Sequence, residues 1–169
     1  MKDFKTNNFL EMLSIVPLNS VNQHHLKRLN VAWLEKYFYV EPTDLIQLSE
    51  PQKEILDKGG FTFFAIYKGQ TIGTVSLLKT EEKVYELSKM AVDEEFQGFG
   101  VGRQLMYHAL THAQILRAEK IILYTNTRLK SAISLYEKFG FISVPLGEST
   151  YARSNYKMEL HLKKTGMTH

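Results

Sequence analysis

Apolar positions recur along this chain in two rhythms, and the switches between them predict its elements. A short strand is expected over residues 12–17. From Ser20 the apolar residues Leu26, Leu29, Val31, Trp33, Leu34 and Tyr37 fall at helical spacing, so a helix opened by Ser20 should end near Phe38. Thr43 and Asp44 follow Pro42 and are placed to cap a second, more polar helix through Leu56, stopped by Gly59 and Gly60. The period then shortens. Phe61–Tyr67, a Lys68-Gly69-Gln70 turn and residues 71–78 read as an antiparallel hairpin rich in β-formers, and Val84–Val92 continues the meander. Residues 103–117 return to helical spacing, with Leu105, Met106, Ala109, Leu110, Ala113 and Leu116 on one side. Lys120–Thr125 is a short apolar strand. Leu129, Ala132, Ile133 and Tyr136 line another helix, closed by Gly140, and residues 141–144 and 152–162 finish the chain as strands. The order β-αα-βββ-α-β-α-ββ predicts an α+β (mixed α/β) domain with helices packed on one central sheet.

Composition narrows the picture. With 169 residues and 44% hydrophobic content, the whole span 1–169 reads as one domain with a real core. Charged residues, 23% of the chain, are mixed in sign and sum to +3, which excludes disorder and suits a weak attraction for anionic ligands. That charge falls short of the basic stripe of a nucleic-acid binder, so nucleic acid is not the expected partner. The absence of cysteine removes disulfides, Cys-ligated zinc and a catalytic thiol together. Residues 1–13 carry Lys2, Asp3, Lys5 and Glu11 without an apolar core, and no stretch is long enough to cross a membrane, so the expected address is cytoplasmic. His108 and His112 sit one helical turn apart but lack the adjacent Glu of a His-Glu-x-x-His site. No metal is expected there, and a place on the helix surface is.

The most informative segment joins the strand Val84–Val92 to the next helix: Gln97-Gly98-Phe99-Gly100-Val101-Gly102-Arg103. Glycines at alternate positions strip Cβ atoms from a strand-to-helix turn and leave backbone N–H groups free to converge on an anion at the helix N-terminus. A dinucleotide fingerprint needs a third glycine at Arg103 or Leu105, and a P-loop needs a Gly-Lys pair that the chain lacks. Spacing alone leaves a second option, in which the glycines simply let helix and sheet pack closely.

The run Gln97-x-x-Gly100-x-Gly102, after a strand ending Met90-Ala91-Val92, resembles the (Arg/Gln)-x-x-Gly-x-(Gly/Ala) motif of the GNAT superfamily. Residues 132–141, Ala-Ile-Ser-Leu-Tyr-Glu-Lys-Phe-Gly-Phe, resemble that family's Ala-Ile-x-Leu-Tyr-x-Lys-x-Gly-Phe helix and turn. The likeness runs from about Phe61 to Leu162. It implies a mostly antiparallel sheet flanked by helices and splayed between residues 87–92 and 121–125. It also implies acetyl-CoA as cofactor, its pyrophosphate held by the amides of Gln97, Gly98, Phe99, Gly100, Val101, Gly102 and Arg103. The pantetheine arm would pair with the edge of Met90, Ala91 and Val92 like an added strand. Many members carry an asparagine where this chain has Leu129, and Asn126 is the expected substitute.

The implied chemistry is direct attack of an amine on the thioester. Such an amine is mostly protonated at neutral pH, so a base is needed, and the leaving sulfur needs an acid. Glu86 occupies the position at which the histone-acetylating branch of the family places its base; the alternative is an exposed strand glutamate paired with a lysine. Tyr136 matches the family's acid; the alternative is a packed aromatic. A backbone N–H at or near Val92 would stabilise the oxyanion. Strand alternation puts Glu86, Ser88 and Met90 on one face and Leu87, Lys89 and Ala91 on the other, so Ser88 is expected to join Glu86 in the cleft. On the acceptor side, Trp33, Tyr37, Phe38, Tyr39, Glu41 and Asp44 suit a cationic amine, or else anchor the helices. Tyr151, Arg153 and Asn155 should face the same entrance, with Arg153 orienting an acceptor carboxylate. Three functions fit: acetylation of a primary amine of a small molecule, amino acid or peptide; a catalytically silent acyl-CoA-binding or sensing module; or acylation of aminoacyl-tRNA or a ribosomal protein. A homodimer is compatible with the family resemblance.

Overall fold

The computed structural model describes residues 8–149 and 151–162. The short-period segments form strands β1 (Leu13–Pro17), β2 (Phe61–Tyr67), β3 (Gln70–Glu81), β4 (Val84–Val92), β5 (Lys120–Thr125), β6 (Ile142–Val144) and β7 (Tyr156–His161). The helical segments form α1 (His24–Tyr37), α2 (Pro42–Ser49), α3 (Val101–Ile115) and α4 (Lys130–Lys138). The element order matches the expectation, with a helical turn over residues 8–11 that it did not include. All seven strands join one sheet in the order β1-β2-β3-β4-β5-β7-β6, antiparallel throughout except where β4 meets β5.

Strand alternation divides the core in two. On one face Phe63, Ala65, Val75, Leu77, Tyr85 and Leu87 pack under Val101, Leu105, Met106 and Ala109 of α3, with Ile133, Leu135 and Tyr136 of α4 at the margin. On the other, Phe64 packs with Leu26 of α1, Leu48 of α2 and Ile55. A Cβ on Gly73 of β3 would lie 3.0 and 3.1 Å from Leu105 and Val101, so glycine there eases the close approach of α3 to the sheet.

Several boundaries differ from the expectation for local reasons. Helix α1 begins at His24 rather than near Ser20, because the Asn19 side chain accepts the N–H groups of Val21 and Asn22 and holds a turn there. Helix α2 is not capped by Thr43. Glu41 precedes it with Pro42 in its first turn, while Asp44 Oδ2 reaches back to the Glu41 N–H at 3.0 Å. It ends at Ser49, and Pro51, which has no N–H to donate, leads into a separate π-helical turn, Gln52–Leu56. His108 and His112 are not simply helix surface: they meet Phe63 and Phe61 edge-on at centroid distances of 4.6 and 4.4 Å.

Candidate active site

Strand β4 creates the site by two departures from regular pairing. It matches β5 in parallel only from Val84↔Lys120 to Glu86↔Ile122, after which the strands separate, while the other edge of β5 stays paired with β7 along its full length. On its β3 side the register jumps from Ser76↔Ser88 to Thr74↔Ala91, so β4 holds one extra residue, and Lys89 sits there at φ 53°. The bulge resets the alternation. Lys89 therefore joins the Glu86 side, with Nζ 3.1 Å from Asp44 Oδ1, whereas Met90 turns to the α3 side, its Cε 3.3 Å from where a Gly102 Cβ would lie. Regular alternation predicts the opposite face for each.

Between the parted strands opens a cleft of about 520 Å³ that Glu86, Ser88, Met90, Ala91, Val92 and Tyr136 help to line. Its neighbour, a cavity of about 620 Å³, runs along the glycine turn, past Gln97, Gly98, Gly100, Val101, Gly102 and Arg103. Gly98 and Gly100 stand at φ 85° and 90°, a left-handed backbone that favours glycine, and Gly100 caps α3. Gln104 donates to the Gly100 carbonyl at 3.1 Å, while the amides of residues 98–103 find no backbone acceptor among the described residues. Gln97, expected among the anion-holding amides, instead gives its N–H to the Glu94 carbonyl at 3.4 Å, and its side chain folds back onto the Val92 carbonyl at 3.1 Å, bracing the turn. Lys130 and Lys138 face this cavity beside Arg103, so the unpaired amides share it with three cationic side chains. A ligand bearing phosphates fits that donor set. Neither lysine carries a signal in the sequence that marks it for this cavity.

Residues 19–141 match the acetyltransferase (GNAT) family. The chain belongs to that family. Among its relatives, YvbK, an uncharacterized N-acetyltransferase of Bacillus subtilis (strain 168), is 35% identical over 101 residues, which is 58% of this chain and 65% of that protein. Several other curated relatives are matched over about half their length or less. The fold of a GNAT-family acetyltransferase from Staphylococcus aureus Mu50 superposes with a TM-score of 0.80 at 20% identity, over 89% of this chain and 99% of that one. A Bacillus subtilis acetyltransferase in complex with CoA superposes with a TM-score of 0.68 at 24% identity, over the same shares of the two chains.

Within this GNAT framework the two acid–base candidates share the cleft wall. Glu86 is buried rather than an exposed strand glutamate, and burial pushes its carboxyl up against the opposing pull of the Lys89 charge and the Ser88 hydroxyl. Tyr136 belongs to the apolar margin of the core, its ring 6.0 Å from that of Phe141, and also reaches the cleft. Burial pushes its hydroxyl up to about 12. Trp33, Tyr37 and Phe38, at the end of α1, form one rim, with Trp33 5.2 Å from Tyr37 and 5.8 Å from Phe38 between ring centroids. Tyr39 is 55% exposed and does not line the cleft.

Other expected site residues are occupied by protein partners. Arg153 Nη1 lies 2.7 Å from Glu41 Oε2 and 2.6 Å from Asp44 Oδ2, and its Nη2 lies 2.9 Å from Asp44 Oδ1. Its fork is therefore filled and does not stand free for an acceptor carboxylate, nor do the two acidic residues stand free for a cationic amine. Lys89 also donates to the Tyr151 hydroxyl at 3.4 Å, and that hydroxyl donates to Gln47 at 3.3 Å. Asn126 gives its amide to the Arg153 carbonyl and accepts from the Arg128 N–H, both at 2.9 Å, so it fastens the end of β5 where it also lines the cleft. Asn155 likewise accepts the Thr127 N–H at 2.9 Å. Among the described residues no group of three or more His, Asp or Glu side chains is arranged for a metal, and no helix is long and apolar enough to cross a membrane.

Proposed function

We propose that this chain is an N-acetyltransferase that carries an acetyl group from acetyl-CoA to a primary amine by direct attack in a ternary complex. The observation that carries the reading is the run of unpaired amides at residues 98–103, opening beside a cleft made by the parting of β4 and β5. Gly98 to Arg103 would hold the diphosphate, with Arg103, Lys130 and Lys138 adding charge, and the edge at Met90, Ala91 and Val92 would align the pantetheine arm. Bound acetyl-CoA supplies an activated acetyl thioester.

Glu86 takes a proton from the acceptor ammonium through water, freeing the nitrogen lone pair that forms the new N–C bond. Its raised carboxyl suits it to that task, since burial makes it a stronger base than an ordinary glutamate. As the C–S bond breaks, Tyr136 would give its proton to the departing sulfur, and the acylated nitrogen would shed its second proton through water to the Tyr136 phenolate. Free CoA thiol and neutral amide then leave while Glu86 passes the first proton to solvent. A hydroxyl held at about 12 stays protonated across the working pH range, which is what a proton donor requires. Placing both groups on one cleft favours an enzyme over a silent CoA-binding module, which has no use for either.

The experiment is to mix the protein with acetyl-CoA and a panel of amines, amino acids and peptides and follow free thiol. Thiol release that depends on one acceptor class, with kcat reduced roughly 100-fold in Tyr136→Phe, supports the reading. Tight CoA binding without amine-dependent thiol release would instead indicate the silent module.

A further inference from the structure

Six charged side chains line the cleft: Asp44, Glu86, Lys89, Arg128, Lys130 and Arg153. Asp44 is bonded to both Lys89 and Arg153, and Glu41 closes the set on Arg153, so two carboxylates and two cations neutralise one another inside the wall. Lys130 also lines the cavity along the glycine turn, where its charge serves an anionic cofactor. An acceptor in the remaining space meets one carboxylate, Glu86, and one guanidinium, Arg128.

Arg128 is held ready for a ligand. Its backbone N–H is anchored on Asn126 Oδ1 at 2.9 Å, and its guanidinium lies over the Phe38 ring at 4.6 Å. Its sole side-chain hydrogen bond among the described residues is a long one, from Nη2 to the Tyr37 carbonyl at 3.4 Å. None of the ion pairs among the described residues includes it, so most of its planar fork of donors remains for a carboxylate. The ring beneath packs against that fork, and Trp33 and Tyr37 extend the aromatic wall beside it. A polyamine would need a second carboxylate at this rim, and Glu41 and Asp44 are both taken.

We infer that the acceptor is an amino acid with an apolar or aromatic side chain, its carboxylate held by Arg128, its side chain against Trp33 and Phe38, and its amine presented to Glu86. The inference rests on the acetyltransferase reading and specifies its substrate class. It moves the carboxylate contact that sequence alone had given to Arg153 onto a residue that sequence alone had passed over.

The test uses matched pairs that differ only by the carboxylate, L-phenylalanine against 2-phenylethylamine and L-leucine against 3-methylbutylamine, with spermidine as the polycation. With acetyl-CoA saturating, kcat/KM by thiol release should favour each amino acid by roughly 10- to 100-fold, the worth of a charge-assisted hydrogen-bonded contact. Arg128→Gln should bring that ratio close to one, mainly through the KM for the amino acid, and Arg128→Lys should restore part of it. Equal kcat/KM within both pairs, a preference for spermidine, or a ratio untouched by Arg128→Gln overturns the amino-acid assignment while leaving acetyl transfer standing, because thiol is still released. A protein that binds acetyl-CoA yet releases no thiol with any of these amines overturns both.

Discussion

Lys89 Nζ sits 3.1 Å from Asp44 Oδ1, where the two side chains are only 3% and 0% exposed, and this buried pair ties the bulge of β4 to helix α2. It joins the strand proposed to align the pantetheine arm to the helix that backs the acceptor side. Burial would raise the Asp44 carboxyl, but its hydrogen bonds from Arg153, the Lys89 charge and the Glu41 N–H outweigh that and hold it below the usual aspartate range. Burial pulls the Lys89 ammonium down, against the opposing pull of Asp44.

Asp44→Ala leaves two cations inside the protein without their shared partner and frees the Glu41 N–H. The expected loss is about 3–5 kcal/mol of stability, since removing one member of a buried ion pair strands the others. Urea denaturation measures it. The depressed carboxyl also sets a pH window: its contribution is complete above the unfolded value near 3.9 and is lost as pH falls through the folded value. Asp44→Asn should flatten that acid loss, and an unchanged acid profile would count against the network.

Glu86→Gln should lower kcat and reshape the pH dependence. A carboxyl raised by burial accepts the amine proton only above its own pKa, so wild-type kcat/KM should fall, as pH is lowered, at a value above the ordinary glutamate range near 4.3. In Glu86→Gln that acid limb should disappear and kcat should drop by roughly 100-fold. Retention of the same limb in the variant would assign the base elsewhere.

Gly100→Ala probes the phosphate turn without touching the cleft. The new Cβ would meet Leu10 only at ordinary contact distances of 3.7 and 3.8 Å, but φ 90° is strained for any L side chain, at roughly 1–2 kcal/mol. The turn should relax away from its amide geometry, and calorimetry should show CoA binding weakened by about tenfold. Unaltered affinity would mean that these amides do not grip the diphosphate.

His112 offers a prediction about stability alone. Its Nε2 is buried against Phe61 and Phe63 without a hydrogen-bond partner among the described residues, and burial, with His108 nearby, lowers its pKa. The unfolded chain then binds the proton more readily, so stability falls as pH drops below about 6.5 toward the folded value. His112→Leu should shrink the loss of thermal midpoint between pH 7 and pH 5. An identical loss in the variant would place the effect on His25 or His108, whose values burial also lowers.

The strands were legible because each carries its own signal. Val84–Val92 and Lys120–Thr125 stand as expected, since β-branched and apolar runs bounded by turn residues need no distant partner to declare themselves. The glycine turn was legible for the same reason: the backbone freedom of Gly98 and Gly100 is written in their side chains. Lys89 was misplaced because strict alternation holds only in unbroken strands, and the extra residue in β4 is set by its register against Ser76 and Thr74. A lysine amid a buried strand was the one available hint. Glu41, Asp44 and Arg153 could be recognised as charged but not as paired, because their meeting depends on how the segment after β6 folds back over α2.

By itself, then, the sequence determined the periodic elements, their order and the position of the glycine turn, all properties of neighbouring residues along the chain. Only the tertiary structure decided which charges face the cleft. Glu41, Asp44, Lys89 and Arg153 come from three distant segments and cancel one another once folded, which leaves Glu86, Arg128 and Lys130 as the remaining charges of the cleft. Charge neutralisation is set by distances of a few ångströms in space, and spacing along a chain does not encode it.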